Sequence, residues 1–126
     1  MSAVFDASAV LAILNDEPGA AHARSFLRGG LITSVNSIEV GTRLVDKGAT
    51  PDAARTSQRF LKIKVVEFDS YLADLAVELR LATRAHGLSL ADRACIALAT
   101  RERLPAITAD RVWAELDLPC PVELIR

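Results

Sequence analysis

Residues 87–99 read GLSLADRACIALA, an almost wholly apolar run that carries a charged pair, Asp92 and Arg93, near its start. A continuous apolar run of this length predicts a buried helix. A carboxylate in the first helical turn satisfies free backbone N–H groups and complements the helix dipole, and Ser89 and Asp92 have the spacing of a capping box. Helix capping is a sufficient role for Asp92 by itself. A second role for Asp92 depends on which other acids lie near it in the fold.

On both sides of this helix, short β-branched runs alternate with helical patterns. The predicted strands contain AVF, LITSV, IKVVEF, PAIT and PVELI, and the predicted helices include SAVLAIL, SIEVGTRLVDKG, PDAARTSQRFL and a long helix over residues 70–85. This alternation predicts an α/β fold, with a central parallel sheet of about five strands and helices on both faces. Ligand sites of such folds lie beyond the carboxyl ends of the strands.

Length and composition predict one globular domain over residues 1–126. Half of the residues are hydrophobic and a quarter are charged, as expected for a folded chain with a sizeable core. The formal net charge of −1 excludes a strongly basic protein, so any contact with nucleic acid would depend on local clusters. The two cysteines lack CxxC spacing and neighbouring histidines, which argues against a zinc or redox site.

The apolar segment near residue 1 is interrupted by Asp6 and has no basic leader. It is therefore a poor signal peptide and too short to span a membrane. We expect a cytoplasmic protein without a membrane partner.

Four acids fall where predicted strands end or predicted helices begin. Asp6 follows the first strand, Asp110 follows the fourth strand, and Glu39 and Asp92 are assigned to the first turns of helices. Each could be a simple helix cap, and Asn36 to Glu39 has the form of a second capping box. Because the strand-to-helix junctions of a parallel sheet open on one edge, we expect several of these acids to converge.

Convergence of carboxylates has an electrostatic cost. Two ionised carboxylates about 4 Å apart repel by roughly 4 kcal/mol at an effective dielectric constant of about 20, whereas one cap contributes only about 1 kcal/mol. Such a cluster either retains protons or binds a cation, and oxygen ligands without His or Cys suit Mg²⁺ or Mn²⁺ better than zinc. Asp52 and Asp69 also stand at helix starts and are interpreted as caps, although the sequence leaves a contribution from Asp69 open.

Four segments carry a family resemblance: VFDASAVLAIL at 4–14, NSIEV at 36–40, GLSLADRACIALA at 87–99 and AITADRVW at 106–113. Together they resemble the PIN-domain ribonucleases, most closely the VapC-type toxins of prokaryotic toxin–antitoxin pairs, over essentially the whole chain. The resemblance places the four acids of the family on Asp6, Glu39, Asp92 and Asp110, as catalytic residues and metal ligands. It implies a Mg²⁺-dependent endoribonuclease, with Mn²⁺ as a possible substitute, that cleaves RNA by metal-activated water.

The same resemblance implies a homodimer and a VapB-type antitoxin partner. Ser8 and Thr108 fall where such proteins often carry hydroxyl groups near the metal, so they are candidates for substrate binding, with local turn hydrogen bonds as the alternative for both. Arg93 and Arg111 directly follow two of the acids, so they are candidates for RNA contacts, with pairing to a neighbouring acid or carbonyl as the alternative. Some relatives carry a further acid two residues after the fourth, where this chain has Val112, so the number of metal ions stays open.

Two other functions compete with this interpretation. A catalytically inactive PIN-fold binding module would keep the fold without the chemistry, but the presence of all four acids argues against it. A haloacid-dehalogenase-like phosphohydrolase would also use an Asp after the first strand, but it needs a second Asp where this chain has Ser8. Neither the RNA that is cleaved nor the particular antitoxin can be identified from the sequence.

Overall fold

The computed structural model describes residues 2–126. The strands are β1 (Val4–Phe5), β2 (Leu31–Thr33), β3 (Lys64–Val66), β4 (Ala106–Thr108) and β5 (Val122–Leu124). The α-helices within these residues are α1 (Ala7–Leu14), α2 (Ala20–Arg24), α3 (Ser34–Asp46), α4 (Pro51–Phe60), α5 (Ser70–Glu78), α6 (Arg80–Thr83) and α7 (Leu90–Glu102). Two 3₁₀ helices span Arg84–His86 and Arg111–Glu115.

The five strands form one sheet in the order β3-β2-β1-β4-β5, and every neighbouring pair is parallel. The chain moves outward from β1 through β2 to β3 and then returns to the other side of β1 for β4 and β5. The strand order therefore reverses between β1 and β4, which is the usual position of a ligand crevice in an open parallel sheet. The prediction of a five-stranded parallel sheet is confirmed.

Helices cover both faces of the sheet because successive strand residues point to opposite sides. Phe5 lies in a hydrophobic core with residues of α1, α2 and α3. Val4, its neighbour on β1, lies in a second core with residues of α5 and α7 and with Trp113. Both β1 side chains are fully buried, as is Trp113, which packs rather than offering a stacking surface for bases.

The helix α7 is the buried helix that GLSLADRACIALA predicts. Residues 94–99 are all buried. The capping box is present, because the Asp92 N–H donates to Ser89 Oγ at 3.1 Å and the Ser89 N–H donates to Asp92 Oδ2 at 2.9 Å. One oxygen of Asp92 is therefore used for capping.

The predicted start of α3 was wrong. The helix begins at Ser34, and its N-cap is Thr33, whose hydroxyl accepts a hydrogen bond from the Asn36 N–H at 3.0 Å. The cap thus lies at the last residue of β2, with no loop between strand and helix. Glu39 consequently lies in the second helical turn, so it is not a capping residue, and the proposed capping box from Asn36 to Glu39 does not form.

The long helix predicted over residues 70–85 is divided into α5, α6 and a 3₁₀ turn. Thr83 is buried, and its hydroxyl donates to the Leu79 carbonyl at 2.8 Å, a side-chain bond of the kind that bends helices. Gly87 then ends the segment in the left-handed conformation at φ 69°. Across residues 2–126, each helix is too short or too polar to cross a lipid bilayer.

Candidate functional site

A cavity of about 160 Å³ brings the four predicted acids together. It is lined by Asp6, Ala7, Ser8, Leu11, Glu39, Arg43, Asp92 and Asp110. Asp6 directly follows β1, and Asp110 follows β4 after one intervening residue, so these two acids flank the point at which the strand order reverses. The helices α3 and α7 contribute the other two acids.

Asp6 is the most buried of these acids, with 4% of its surface exposed. Its Oδ2 accepts hydrogen bonds from Ser8 Oγ at 2.7 Å and from Thr108 Oγ1 at 2.8 Å. Burial above all, together with the charges of Asp92 and Glu39, raises the pKa of Asp6 to about 6 against the lowering effect of the two hydroxyls. The Asp6 carboxyl group is thus costly to ionise in this position.

The two hydroxyls tie the ends of β1 and β4 together. Ser8 Oγ accepts from the Ala109 N–H at 2.9 Å, and Thr108 Oγ1 accepts from the Asp110 N–H at 3.0 Å. Each hydroxyl therefore donates to Asp6 while accepting from the segment that carries the fourth acid. The structure uses both predicted substrate contacts to orient Asp6.

Glu39 has a carboxylate oxygen, Oε1, that is buried without a hydrogen-bond partner in residues 2–126. Burial raises the pKa of Glu39, the Asp92 charge raises it further, and the Arg43 charge lowers it. Burial likewise raises the pKa of Asp92, and the Asp110 charge adds to that shift. A buried oxygen without a partner, among mutually repelling carboxylates, is an arrangement that a bound cation would stabilise.

The acids as they stand do not form a ready-made coordination shell. Among the side chains of residues 2–126, no group of three or more His, Cys, Asp or Glu is arranged to hold a metal ion. Local hydrogen bonds engage two of the acids: Asp92 caps α7, and Asp110 Oδ1 accepts from the Val112 N–H at 3.0 Å. Each acid still has an oxygen that accepts no hydrogen bond within these residues, and an all-oxygen donor set fits a hard divalent ion.

Asn36 connects the helix that carries Glu39 to the helix that carries Asp92. The Asn36 side chain is fully buried, and its Nδ2 donates to the carbonyl of Ala91 at 2.9 Å. Its Oδ1 accepts from Thr33 Oγ1 at 2.5 Å. The sequence predicted Asn36 as a cap, whereas its side chain is buried between α3 and α7.

We expect Asn36→Ala to lower the free energy of unfolding by about 2–3 kcal/mol, because the buried Thr33 hydroxyl loses the acceptor for its proton and the Ala91 carbonyl loses its side-chain donor. Urea denaturation measures the effect. Asn15→Ala is the matched control, since Asn15 is exposed at the end of α1. Equal losses for the two variants would contradict a connecting role for Asn36.

Arg43 is a cavity residue that the sequence analysis missed. It lies one helical turn after Glu39 on α3, so the spacing of four residues was the available signal. It is also the only basic side chain lining the cavity among residues 2–126.

The other predicted basic contacts lie elsewhere. Arg93 Nη1 donates to the carbonyl of Ala76 on α5 at 2.8 Å, and Arg111 Nη1 donates to the carbonyl of Arg126 at 2.9 Å. Neither lines the cavity, and both follow the carbonyl-pairing alternative. Asp69 also lies outside the cavity and caps α5, where its Oδ1 accepts from the Leu72 N–H at 3.0 Å.

The sequence matches the PIN domain family model over residues 3–118. The chain therefore belongs to the PIN-domain family, as the four quoted segments indicated. No curated protein sequence matches it significantly.

Solved structures share the fold over nearly the whole chain. The VapBC2 complex from Rickettsia felis, bound to a fragment of its promoter DNA, matches with a TM-score of 0.74 and 14% identity over 98% of each chain. A toxin–antitoxin complex from Klebsiella pneumoniae gives 0.73 and 20% identity over 96% of this chain and 100% of that one. VapBC-5 from Mycobacterium tuberculosis gives 0.61 and 26% identity, covering 99% of this chain and 98% of its own.

Proposed function

We propose that this PIN-domain protein is a Mg²⁺-dependent endoribonuclease, with Mn²⁺ as a substitute ion, and that Asp6, Glu39, Asp92 and Asp110 hold the metal. One observation carries the proposal: four carboxylates from four separate segments line a single small cavity at the point where the strand order reverses. Their mutual repulsion and burial make that cavity unfavourable without a cation.

The need for a cation also follows from the substrate. A phosphodiester carries negative oxygens that repel a nucleophile, and the carboxylates alone would strengthen that repulsion. When bound, the divalent ion supplies positive charge at the phosphoryl oxygens and favours ionisation of the attacking water.

The chain's own residues hold and orient the acids. Ser8 and Thr108 both donate to one oxygen of Asp6, and the other oxygen accepts no hydrogen bond within residues 2–126. The backbone caps hold Asp92 and Asp110 in the same way, through one oxygen each. We propose that water attacks the phosphodiester and that no side chain forms a covalent intermediate; Ser8, the only hydroxyl lining the cavity in residues 2–126, orients Asp6.

We further propose that the protein is a VapC-type toxin, acting in the cytoplasm as a homodimer whose activity a VapB-type antitoxin blocks. Structures of toxin–antitoxin complexes with the same fold support this assignment. A groove of about 430 Å³ between α3 and α4, bordered by the exposed Ile38 and Val45, gives an apolar surface for a partner segment.

The proposed activity is tested by incubating the protein with total cellular RNA in Mg²⁺, in Mn²⁺ and in EDTA, and then mapping the cut ends. We expect cleavage in either metal and none in EDTA. Cleavage that survives EDTA would exclude the metal mechanism. Absence both of cleavage and of heat in a calorimetric Mn²⁺ titration would instead identify an inactive binding module.

A further inference from the structure

In the part of the chain that the structure describes, Arg43 carries an unpaired guanidinium group at the wall of the acidic cavity. Its side chain is exposed, and within residues 2–126 it forms no hydrogen bond to another residue and no ion pair with a carboxylate. The four acids that share the cavity wall with it are the groups of the proposed metal site.

Glu39 and Arg43 form no ion pair in residues 2–126, although their spacing on α3 would allow one. A Glu four residues before an Arg on a helix is the favoured arrangement for such a pair. Here the Arg43 charge acts on the Glu39 carboxyl group from a distance and lowers its pKa, while the side chains remain unpaired. The guanidinium therefore keeps all five of its N–H donors available.

A phosphate group is the ligand that matches these donors. The planar guanidinium binds phosphate oxygens through two parallel hydrogen bonds, which a lysine cannot reproduce. With a formal net charge of −1, the chain has no general positive field that would attract RNA. Attraction of the backbone toward this cavity must therefore come from individual cations close to it.

We propose that Arg43 binds a non-bridging phosphate oxygen of the RNA strand at the mouth of the acidic cavity. This inference rests on the proposed function, and it adds a substrate-binding residue that places the backbone next to the four acids. The sequence had suggested Arg93 and Arg111 for this role, but both guanidinium groups already donate to backbone carbonyls.

Other roles for Arg43 would change the affinities for Mn²⁺ and RNA in different ways. If Arg43 only neutralised Glu39, its removal would change the affinity for Mn²⁺ and leave RNA affinity unchanged. If it bound an acidic segment of a partner protein, neither Mn²⁺ nor RNA affinity would change. A phosphate contact instead lowers the affinity for RNA and leaves the affinity for Mn²⁺ equal or slightly higher, since one competing cation has been removed.

The experiment measures RNA binding by fluorescence anisotropy, with a short labelled single-stranded RNA of mixed sequence and Mn²⁺ present. Asp6→Asn serves as the background that suppresses cleavage, and Arg43→Gln is compared with Arg28→Gln. Arg28 is also exposed and unpaired within residues 2–126, but it precedes β2 and therefore lies at the opposite edge of the sheet. Gln keeps a helix propensity close to that of Arg, so Arg43→Gln should remain folded.

We expect Arg43→Gln to weaken RNA binding about tenfold. The slope of log affinity against log salt should fall in magnitude by about 0.7, the value for one lost contact to a single strand. Arg43→Lys should restore the salt slope but only part of the affinity. In the native background, Arg43→Gln should raise KM for RNA more than it lowers kcat.

RNA affinity of Arg43→Gln equal to that of Arg28→Gln would overturn the inference, and so would a parallel loss of Mn²⁺ binding measured by calorimetry. Neither result would contradict the proposed nuclease activity, which is tested separately by the response of native cleavage to Mg²⁺ and EDTA. Conversely, if native cleavage survives EDTA, the proposed function fails whatever Arg43→Gln does.

Discussion

Replacing Asp6 with asparagine is expected to lower RNA cleavage by about a thousandfold, equivalent to roughly 4 kcal/mol of transition-state stabilisation. Asp6 is the most buried acid of the cavity and flanks the point where the strand order reverses. The Asn side chain can still accept the hydrogen bonds of Ser8 and Thr108 through its amide oxygen, but it removes the negative charge that a metal requires. Single-turnover cleavage in Mg²⁺ measures the effect.

The same substitution should stabilise the metal-free protein near neutral pH. Burial raises the pKa of Asp6 from 3.8 to about 6, so ionising this group in the folded state costs about 3 kcal/mol. The sign follows from proton binding: between these pH values the folded state holds more protons than the unfolded state, so stability is lost as the pH rises through about 6. Asp6→Asn removes that loss.

The test compares native protein and Asp6→Asn by urea denaturation in EDTA over a series of pH values. The stability gain should be largest near neutral pH and should disappear as the pH falls toward about 4. Asp69→Asn is the matched control, since Asp69 is an exposed cap outside the cavity. A gain independent of pH, or Asp6→Asn retaining native cleavage, would contradict the assigned role.

Mn²⁺ is expected to raise the free energy of unfolding of the native protein by about 2.7 kcal/mol at about one hundred times its dissociation constant. The ion would satisfy the buried oxygen of Glu39 and offset the repulsion among the acids. Because Asp6, Glu39 and Asp92 all have raised pKa values, the metal must displace protons, so its affinity should increase as the pH rises through about 6.

Denaturation at fixed protein concentration with increasing Mn²⁺ measures this stabilisation. Glu39→Gln should lose most of it, whereas Asp52→Asn should retain it, since Asp52 pairs with Arg55 on α4 away from the cavity. An equal response from these two variants would show that Mn²⁺ binds elsewhere.

The sequence predicted the architecture because most strands lie in short runs rich in β-branched residues, and because α7 is an apolar run that begins with a capping box. Convergence of the acids could also be predicted, since all strands of a parallel sheet end at the same edge. The positions of Asp6 and Asp110 followed directly from their place after a strand.

Details that depend on tertiary contacts were missed. The start of α3 could not be located because Thr33 both ends β2 and caps the helix, whereas LITSV reads as one continuous strand. Asn36 pairs with a carbonyl 55 residues away in the sequence, which no local pattern reveals. For Arg93 the sequence left an RNA contact and pairing with a neighbouring group both open; successive helical residues project in different directions, and its side chain reaches the Ala76 carbonyl on α5.

The position of β4 in the sheet determines when the acidic cavity can form during synthesis of the chain. This strand inserts between β1 and β5, although the ribosome makes it after the α-helices α1 to α7. Until it emerges, β1 has an open edge, and Asp6 lacks the Thr108 hydroxyl and the neighbouring fourth acid. The acidic cavity of the proposed nuclease therefore cannot be complete until β4 and Asp110 have left the ribosome.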